Sequence, residues 1–146
     1  ISIIMGDNKI GFALVGLKTE QFATFEDNYT PKAKTELKTG LEFKFNKEQK
    51  VIAVYVTTIF EQKKKAFLKL QVSCHFNISD DSFGRYCDDL KIIFPKSFMT
   101  HITMISISSV RGVLHAKTEG TEFNKYLLPT LDVTKMVEED IEFDIK

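Results

Sequence analysis

Residues 92–112 have the sequence IIFPKSFMTHITMISISSVRG, which predicts a long helix. Pro95 suits the first turn of a helix, where its missing N–H group breaks no hydrogen bond. The apolar residues that follow share one helical stripe: Phe98, Ile102, Ile105 and Val110. Gly112, directly after Arg111, is typical of a helix C-terminus. Because isoleucine, threonine and serine are only moderate helix formers, packing against another surface must stabilise this helix.

Four strand-like segments precede the helix. Residues 68–78 alternate between apolar and polar side chains, and residues 37–45 do so too, as expected of strands with one buried face. Residues 51–60 are almost continuously apolar or β-branched, which is typical of a central strand. Turns of about five residues join these three segments, so they predict an antiparallel meander. The first segment covers residues 10–26, and its change of phase near Gly16 indicates a bulge.

A second, short helix is expected after the long one. Asp132 is a suitable N-cap for it, with Leu131 placed to pack against Met136. The element order is therefore ββββαα, and the fold class is α+β. At 146 residues the chain is expected to form a single domain, residues 1–146, with an acidic tail at 138–146 that is frayed.

Composition argues against several classes of partner. The chain has 20 lysines and arginines and 20 aspartates and glutamates, so no net field favours nucleic acid or a membrane surface. No apolar run reaches the length of about 18 residues that a membrane span needs, and we recognise no export leader. Cys74 and Cys87 have neither disulfide-framework nor metal-site spacing. They are expected to be reduced thiols in a cytoplasmic protein.

Groups that could carry catalysis are scattered along the sequence. His75, His101 and His115 form no metal-binding motif, and Cys87 could meet His101 only through the tertiary structure. The acid pairs at 80–81 and 88–89 fit helix termini and surface charge, and the lysines at 63–65 fit a solvated hairpin tip. We therefore expect no enzyme, no cofactor and no metal site.

The apolar residues instead favour binding. Thirteen phenylalanines and no tryptophan are present, and phenylalanine serves only burial or apolar contact because it has no polar group. Residues 127–137 are rich in Leu, Val and Met, and such side chains adapt to varied apolar partners. On the long helix, Ser106, Ser108 and Ser109 leave a surface of low relief that suits a subunit contact. A packing role within one subunit fits this helix equally well.

Short motifs, met in the same order, resemble the SecB protein-export chaperones. Residues 12–22 look like the first strand of that family, and Tyr29-Thr30-Pro31 resembles its aromatic-x-Pro segment before the second strand. Ile92-Ile93-Phe94-Pro95 and Arg111-Gly112 resemble the start and the end of its long helix. Leu128-Pro129-Thr130-Leu131-Asp132 is similar to its Leu-x-Pro segment before the last helix. The resemblance covers nearly the whole chain.

This resemblance implies a four-stranded antiparallel sheet with two helices packed on one face, assembled as a homotetramer that is a dimer of dimers. It implies a molecular chaperone for unfolded polypeptides, which serves protein transport by delivering its clients to the SecA translocation ATPase. It places an apolar peptide-binding groove at Phe22, Phe25, Tyr29, Leu37, Leu41, Leu128, Leu131 and Met136. It places the oligomer interface on the long helix, at Phe98, Ile102, Ile105, Ser106 and Ser109.

The chain departs from the family in charge. Members are typically acidic, whereas this chain is neutral, and its strand 68–78 presents Lys69, Gln71, Ser73 and His75 on the polar face. Among acidic segments, residues 138–140 could partly replace the acidic contact to SecA. The alternative interpretation is a SecB-like adaptor, or a chaperone dedicated to one partner such as an antitoxin.

Overall fold

The computed structural model describes residues 2–5 and 8–145 of the chain. One sheet dominates it, and its strands lie in the order β1-β2-β5-β4-β3 with every neighbouring pair antiparallel. The strands are β1 (Ser2–Met5), β2 (Asn8–Thr24), β3 (Glu36–Asn46), β4 (Val51–Gln62) and β5 (Lys65–Ile78). The four long strands confirm the predicted four-stranded antiparallel sheet of an α+β fold. The short β1 is an addition that the sequence did not predict.

The remaining elements follow the sheet in the chain. They are α1 (Asp80–Tyr86), β6 (Lys91–Phe94), α2 (Lys96–Thr118), α3 (Val133–Met136) and β7 (Ile141–Asp144). Two short 3-10 turns, Glu26–Asn28 and Glu122–Lys125, lie in the connections after β2 and α2. Strands β6 and β7 form a separate antiparallel pair.

The apolar core lies between α2 and one face of the sheet. Strand β5 turns six side chains toward the helix, each at most 1% exposed: Leu68, Leu70, Val72, Cys74, Phe76 and Ile78. Helix α2 contributes Phe98, Ile102, Val110 and Leu114 to the same core, all of them fully buried. The helix contacts β4 and β5. Fully burying one such side chain stabilises the fold by about 1.5–3 kcal/mol, so this layer supplies the packing that the weak helix propensity requires.

The start of the long helix differs from the prediction. Ile92, Ile93 and Phe94 belong to strand β6, and α2 begins only at Lys96. Proline disfavours the helical conformation at the residue before it, which keeps Phe94 extended. The helix also continues past Gly112 to Thr118 because its last two turns bury Leu114 and Thr118. Burial there outweighs the tendency of glycine to end a helix.

The predicted frayed tail is wrong for most of its length. Ile141–Asp144 pairs with β6, with Ile92 opposite Phe143. Ile145 is buried, and its N–H group donates to the carbonyl oxygen of Leu90 at 2.9 Å. Apolar residues at every second position, 141, 143 and 145, fit a strand with one buried face. Residues 138–140 are exposed, as expected.

The predicted bulge near Gly16 is present in β2. The pairing of β2 with β5 shifts between Leu14 and Gly16, and shifts again between Thr19 and Gln21. The first shift leaves Val15 as an extra, exposed residue. The second places Glu20 on the face of the sheet that is turned away from α2, where its carboxylate reaches Ser73.

Candidate functional site

The outer edge of β2 is open along most of its length. Strand β1 pairs only with Asn8–Gly11, and no other strand in the described part of the chain pairs with this edge from Phe12 onward. The unpaired N–H and C=O groups of such an edge can bond to another extended chain. Leu14 and Leu17 face the side of the sheet that α2 covers, yet they are 46% and 45% exposed.

The flank of α2 continues this exposed surface. At one end the ring of His101 lies 6.1 Å from that of Phe12, and at the other end Lys117 Nζ lies 5.9 Å from the ring of Phe22. These two contacts place α2 on the face of the sheet toward which Leu14 and Leu17 point. A cleft of about 490 Å³ on this flank is lined by His101, Met104, Ile105, Ser108 and Ser109. Leu14, Leu17 and these five residues are called the β2-side surface.

The opposite edge of the sheet, along β3, has a different form. No strand among the described residues pairs with its outer side. The segment from α3 to β7 passes beside Phe43 and leaves a cleft of about 550 Å³ between itself and the strand. This β3-side cleft is lined by Phe43, Ile141 and the five consecutive residues 135–139. Phe43, Met136 and Ile141 are half-buried there, so the cleft has an apolar wall and a charged rim at Glu138 and Glu139.

The residues predicted to form one groove are divided between these two edges. Phe22 and the exposed Phe25 lie at the end of β2, whereas Leu37 and Leu41 lie on β3. Strands β5 and β4 lie between β2 and β3. At a strand spacing of about 4.8 Å, the distance from β2 to β3 is about 14 Å. Within one subunit, two strands therefore lie between Phe22 and the predicted groove residues on β3. Met136 lines the β3-side cleft, and Leu131 is half-buried.

Two other predicted groove residues have structural roles. Leu128 is buried in the core, and its carbonyl oxygen accepts a hydrogen bond from Arg111 Nε at 2.7 Å. Tyr29 packs against Phe67 and Phe123, and its hydroxyl accepts a hydrogen bond from the hydroxyl of Tyr126 at 3.1 Å. Burial, followed by the contact with Tyr29, raises the pKa of Tyr126. This cluster fastens the connection after β2 to the turn after α2, and Tyr126 and Phe123 were not predicted to take part.

The predicted oligomer interface is wrong for three of its five residues. Phe98, Ile102 and Ser106 are 0% exposed, because this stripe of α2 is the one that covers the sheet. The Ser106 hydroxyl donates to the carbonyl oxygen of Ile102 at 2.8 Å. A residue without exposed surface makes no contact with another subunit. Ile105 and Ser109 are half-buried and line the cleft on the flank of α2.

The outer face of the sheet carries a serine, a histidine and a carboxylate in contact. Ser73 Oγ lies 2.9 Å from His75 Nε2 and 3.4 Å from Glu20 Oε2. Burial and the nearby Lys18 lower the pKa of His75. A nucleophilic serine needs access to substrate and a carboxylate that orients the histidine. Here Ser73 is 0% exposed, and Glu20 contacts the serine itself, so the arrangement does not fit that chemistry.

The sequence also predicted no metal site, no membrane span and no catalytic pair of Cys87 and His101. In residues 2–5 and 8–145, no three His, Cys, Asp or Glu side chains come together as metal ligands would. No helix within this described part has the length and hydropathy that a membrane span requires. Cys87 Sγ donates to the carbonyl oxygen of Asp88 at 3.1 Å, and the ring of His101 packs against Phe12.

Comparison with known proteins gives similarity in structure alone. No protein-family model matches the chain. No curated protein matches it either. A SecB-like chaperone of Mycobacterium tuberculosis, solved in complex with a peptide from the HigA1 antitoxin, is similar over 83% of this chain and 91% of its own, with 7% identity and a TM-score of 0.49. A protein of unknown function from Streptococcus agalactiae is similar over 84% of this chain and 98% of its own, with 13% identity and a TM-score of 0.37. At such low identity, neither similarity assigns a function to this chain.

Proposed function

We propose that this chain is a chaperone or adaptor that binds extended, apolar segments of non-native polypeptides. One observation carries the proposal: both sides of the main sheet present an open strand edge next to accessible apolar side chains. An extended peptide can add to such an edge through main-chain hydrogen bonds, which do not depend on its sequence. Apolar contacts are also non-directional, so the two together favour binding to many unfolded segments.

We assign the client to the β3-side cleft. Its floor is the unpaired edge of β3 near Phe43, and its far wall is the segment from Met136 to Ile141. No backbone hydrogen bond joins this segment to β3 among the described residues, so a client strand finds free groups on β3. Its apolar side chains would cover Phe43, Met136 and Ile141, and each Å² of apolar surface removed from water contributes about 25 cal/mol.

We assign the β2-side surface to a second copy of the chain. Two β2 edges can pair antiparallel about a twofold axis, because the same strand then supplies both sides of the contact. Leu14 and Leu17 would bury their exposed surface against Met104 of the other copy. Such pairing is the first step toward the dimer of dimers that the resemblance to SecB implies. Several client clefts in one particle would raise the affinity for a long unfolded chain.

Charge on the outer face of the sheet makes a dedicated client as suitable an interpretation as general export. Glu42 and Lys44 alternate on β3, and Lys18 and Glu20 lie close together on β2. This mixed surface differs from the acidic field that the resemblance implies for docking SecA. We therefore rank a chaperone dedicated to one partner, such as an antitoxin, beside delivery to SecA. The proposal places the protein in the cytoplasm and assigns it no catalytic activity.

Suppression of aggregation tests the client site. The wild-type chain should keep a chemically unfolded protein soluble at a nearly equal molar ratio, followed by light scattering. Met136→Glu places a charge in the β3-side cleft, and it should raise the concentration needed for half suppression by about tenfold. The matched control is Leu90→Glu, since Leu90 is an exposed leucine outside both surfaces.

The two variants separate a site from general apolar stickiness. If Leu90→Glu loses suppression as fully as Met136→Glu, the cleft is not the client site. If the wild-type chain has no effect on any unfolded protein but captures one folded partner, the adaptor interpretation replaces the chaperone. Circular dichroism and urea unfolding of each variant show that its fold is retained.

A further inference from the structure

Five lysines that the proposed function does not use lie at one end of the sheet. Two come from the connection between β2 and β3, two from the turn between β4 and β5, and one from the first position of β5: Lys32, Lys34, Lys63, Lys64 and Lys65. All five are exposed. No salt bridge within the described residues involves any of them. We call them the lysine end.

One buried side chain fixes the two lysine-bearing segments to each other. Gln62 is 3% exposed and lies directly before the turn. Its Oε1 accepts a hydrogen bond from the N–H group of Thr30 at 2.8 Å, and its Nε2 donates to the carbonyl oxygen of Thr30 and to Thr35 Oγ1, each at 3.1 Å. The relative positions of the two segments are thus set by structure, although they are distant in sequence.

The turn holds lysines where folding alone favours other residues. Lys63 and Lys64 have φ values of 52° and 65°, in the left-handed region. Asn and Gly adopt this conformation in two-residue hairpin turns at lower conformational cost than lysine does. Lysine is kept at this turn in spite of that cost, as it is at Lys50 with a φ of 54°, and here it adds two positive charges to the lysine end.

The lysines surround a shallow hollow with a mainly apolar lining. Its volume is about 420 Å³, and Ala33, Lys34, Glu36, Lys63 and Lys64 line it. The aliphatic stems of lysine can cover an apolar group while the ammonium groups remain in water. A ligand that matches this surface carries several negative charges around one apolar side chain.

We propose that the lysine end docks an acidic peptide segment of a partner protein, with one apolar side chain of that segment in the hollow. Nucleic acid fits less well, because a phosphate backbone has no apolar side chain to place in the hollow. No aromatic ring lines the hollow, so bases have no surface on which to stack. The site is separate from the β3-side cleft, since Glu36 and Phe43 are about 23 Å apart along β3 at about 3.3 Å per residue.

Binding of labelled peptides to the full chain tests the proposal. The probe is a fluorescein-labelled peptide of about twelve residues, in which glutamates and aspartates flank one leucine, and fluorescence anisotropy reports its affinity. The triple variant K34Q/K63Q/K64Q should weaken binding by at least about tenfold, and also flatten its dependence on salt. The control K18Q/K44Q/K96Q removes the same charge elsewhere and should change the affinity by less than about twofold.

A changed probe, a comparison of the two variants and an oligonucleotide competitor each support or overturn the proposed peptide site. Replacing the leucine of the probe by serine should weaken binding, because the hollow then remains exposed to water. Equal losses in the two triple variants would show a general charge effect and overturn the proposal. An oligonucleotide of equal charge that displaces the peptide and binds more tightly would identify a nucleic-acid site instead. Suppression of aggregation should be unchanged in K34Q/K63Q/K64Q, so this site and the client cleft can fail independently.

Discussion

At the scale of single residues, His75 links the outer face of the sheet to pH. The sequence placed His75 on the polar face of a strand, and the structure agrees. What the sequence could not show is its contact with Ser73 at 2.9 Å or the approach of Glu20, since the latter depends on a bulge in a different strand. Burial, and then Lys18, lower the pKa of His75 below its usual 6.5, so the folded chain favours the neutral ring.

Stability should therefore decrease with acidification. Between the lowered pKa and 6.5 the unfolded chain binds more protons, so the stability contributed by neutral His75 is present above about pH 6.5 and is lost as the pH falls through the folded pKa. Urea unfolding from about pH 7 to 5 should show a declining free energy of unfolding, and His75→Gln should flatten that decline. His115→Gln, at an exposed position, is the control. A decline of equal slope in His75→Gln and the wild type would contradict the prediction. The carboxyls with a lowered pKa, Asp80 and Asp88, act in a more acidic range.

At the scale of elements, the pairing of β6 with β7 could not be predicted from sequence patterns. Four residues, Lys91–Phe94, have too few periods to distinguish a strand from the first turn of a helix. Their partner lies about fifty residues further along the chain, and no local pattern joins the two. The long strands β3, β4 and β5 were predictable because each repeats its alternation several times.

Because β7 packs against the core through Phe143, we expect this one side chain to contribute strongly to the free energy of unfolding. Phe143 on β7 packs against Phe45 and Phe94, with ring centroids 5.6 Å and 6.1 Å away. Phe143→Ala should lower the free energy of unfolding by about 2–4 kcal/mol in a urea titration, because it opens a cavity beside two other rings. The neighbouring Glu142→Ala breaks only the exposed ion pair with Lys91 and should cost less than about 1 kcal/mol. Equal, small effects would mean that β7 is not fixed to the core.

At the scale of the whole molecule, the order of strands decides which predicted residues can act together. Phe22 and Leu41 were expected in one groove, but β5 and β4 lie between their strands. Alternation reveals which side chains share a face of a strand, and it does not reveal which strands are neighbours. The choice of helix face was hidden for a related reason: the stripe with the most apolar residues, including Phe98 and Ile102, covers the chain's own sheet.

If two β2 edges pair as proposed, the oligomeric state should depend on Leu14 and Leu17. The double variant L14E/L17E places two carboxylates on the β2-side surface, where they would lose hydration on pairing. Native mass spectrometry should find oligomers of the wild-type chain and mainly monomers of the variant. Leu127→Glu, at another exposed leucine, should leave the distribution unchanged. A wild-type monomer at all concentrations, or an unchanged variant, would remove the pairing.

In a dimer joined through β2, the distance between the two β3 edges determines which clients can bind to both of them. If β2 joins two copies, their eight long strands form one continuous sheet with a β3 edge at each rim. Seven strand spacings of about 4.8 Å separate the rims by about 34 Å, which an extended chain covers in about ten residues. Short apolar segments can therefore occupy only one rim at a time. Clients with two such segments, separated by a linker of at least about ten residues, can hold both rims and dissociate more slowly.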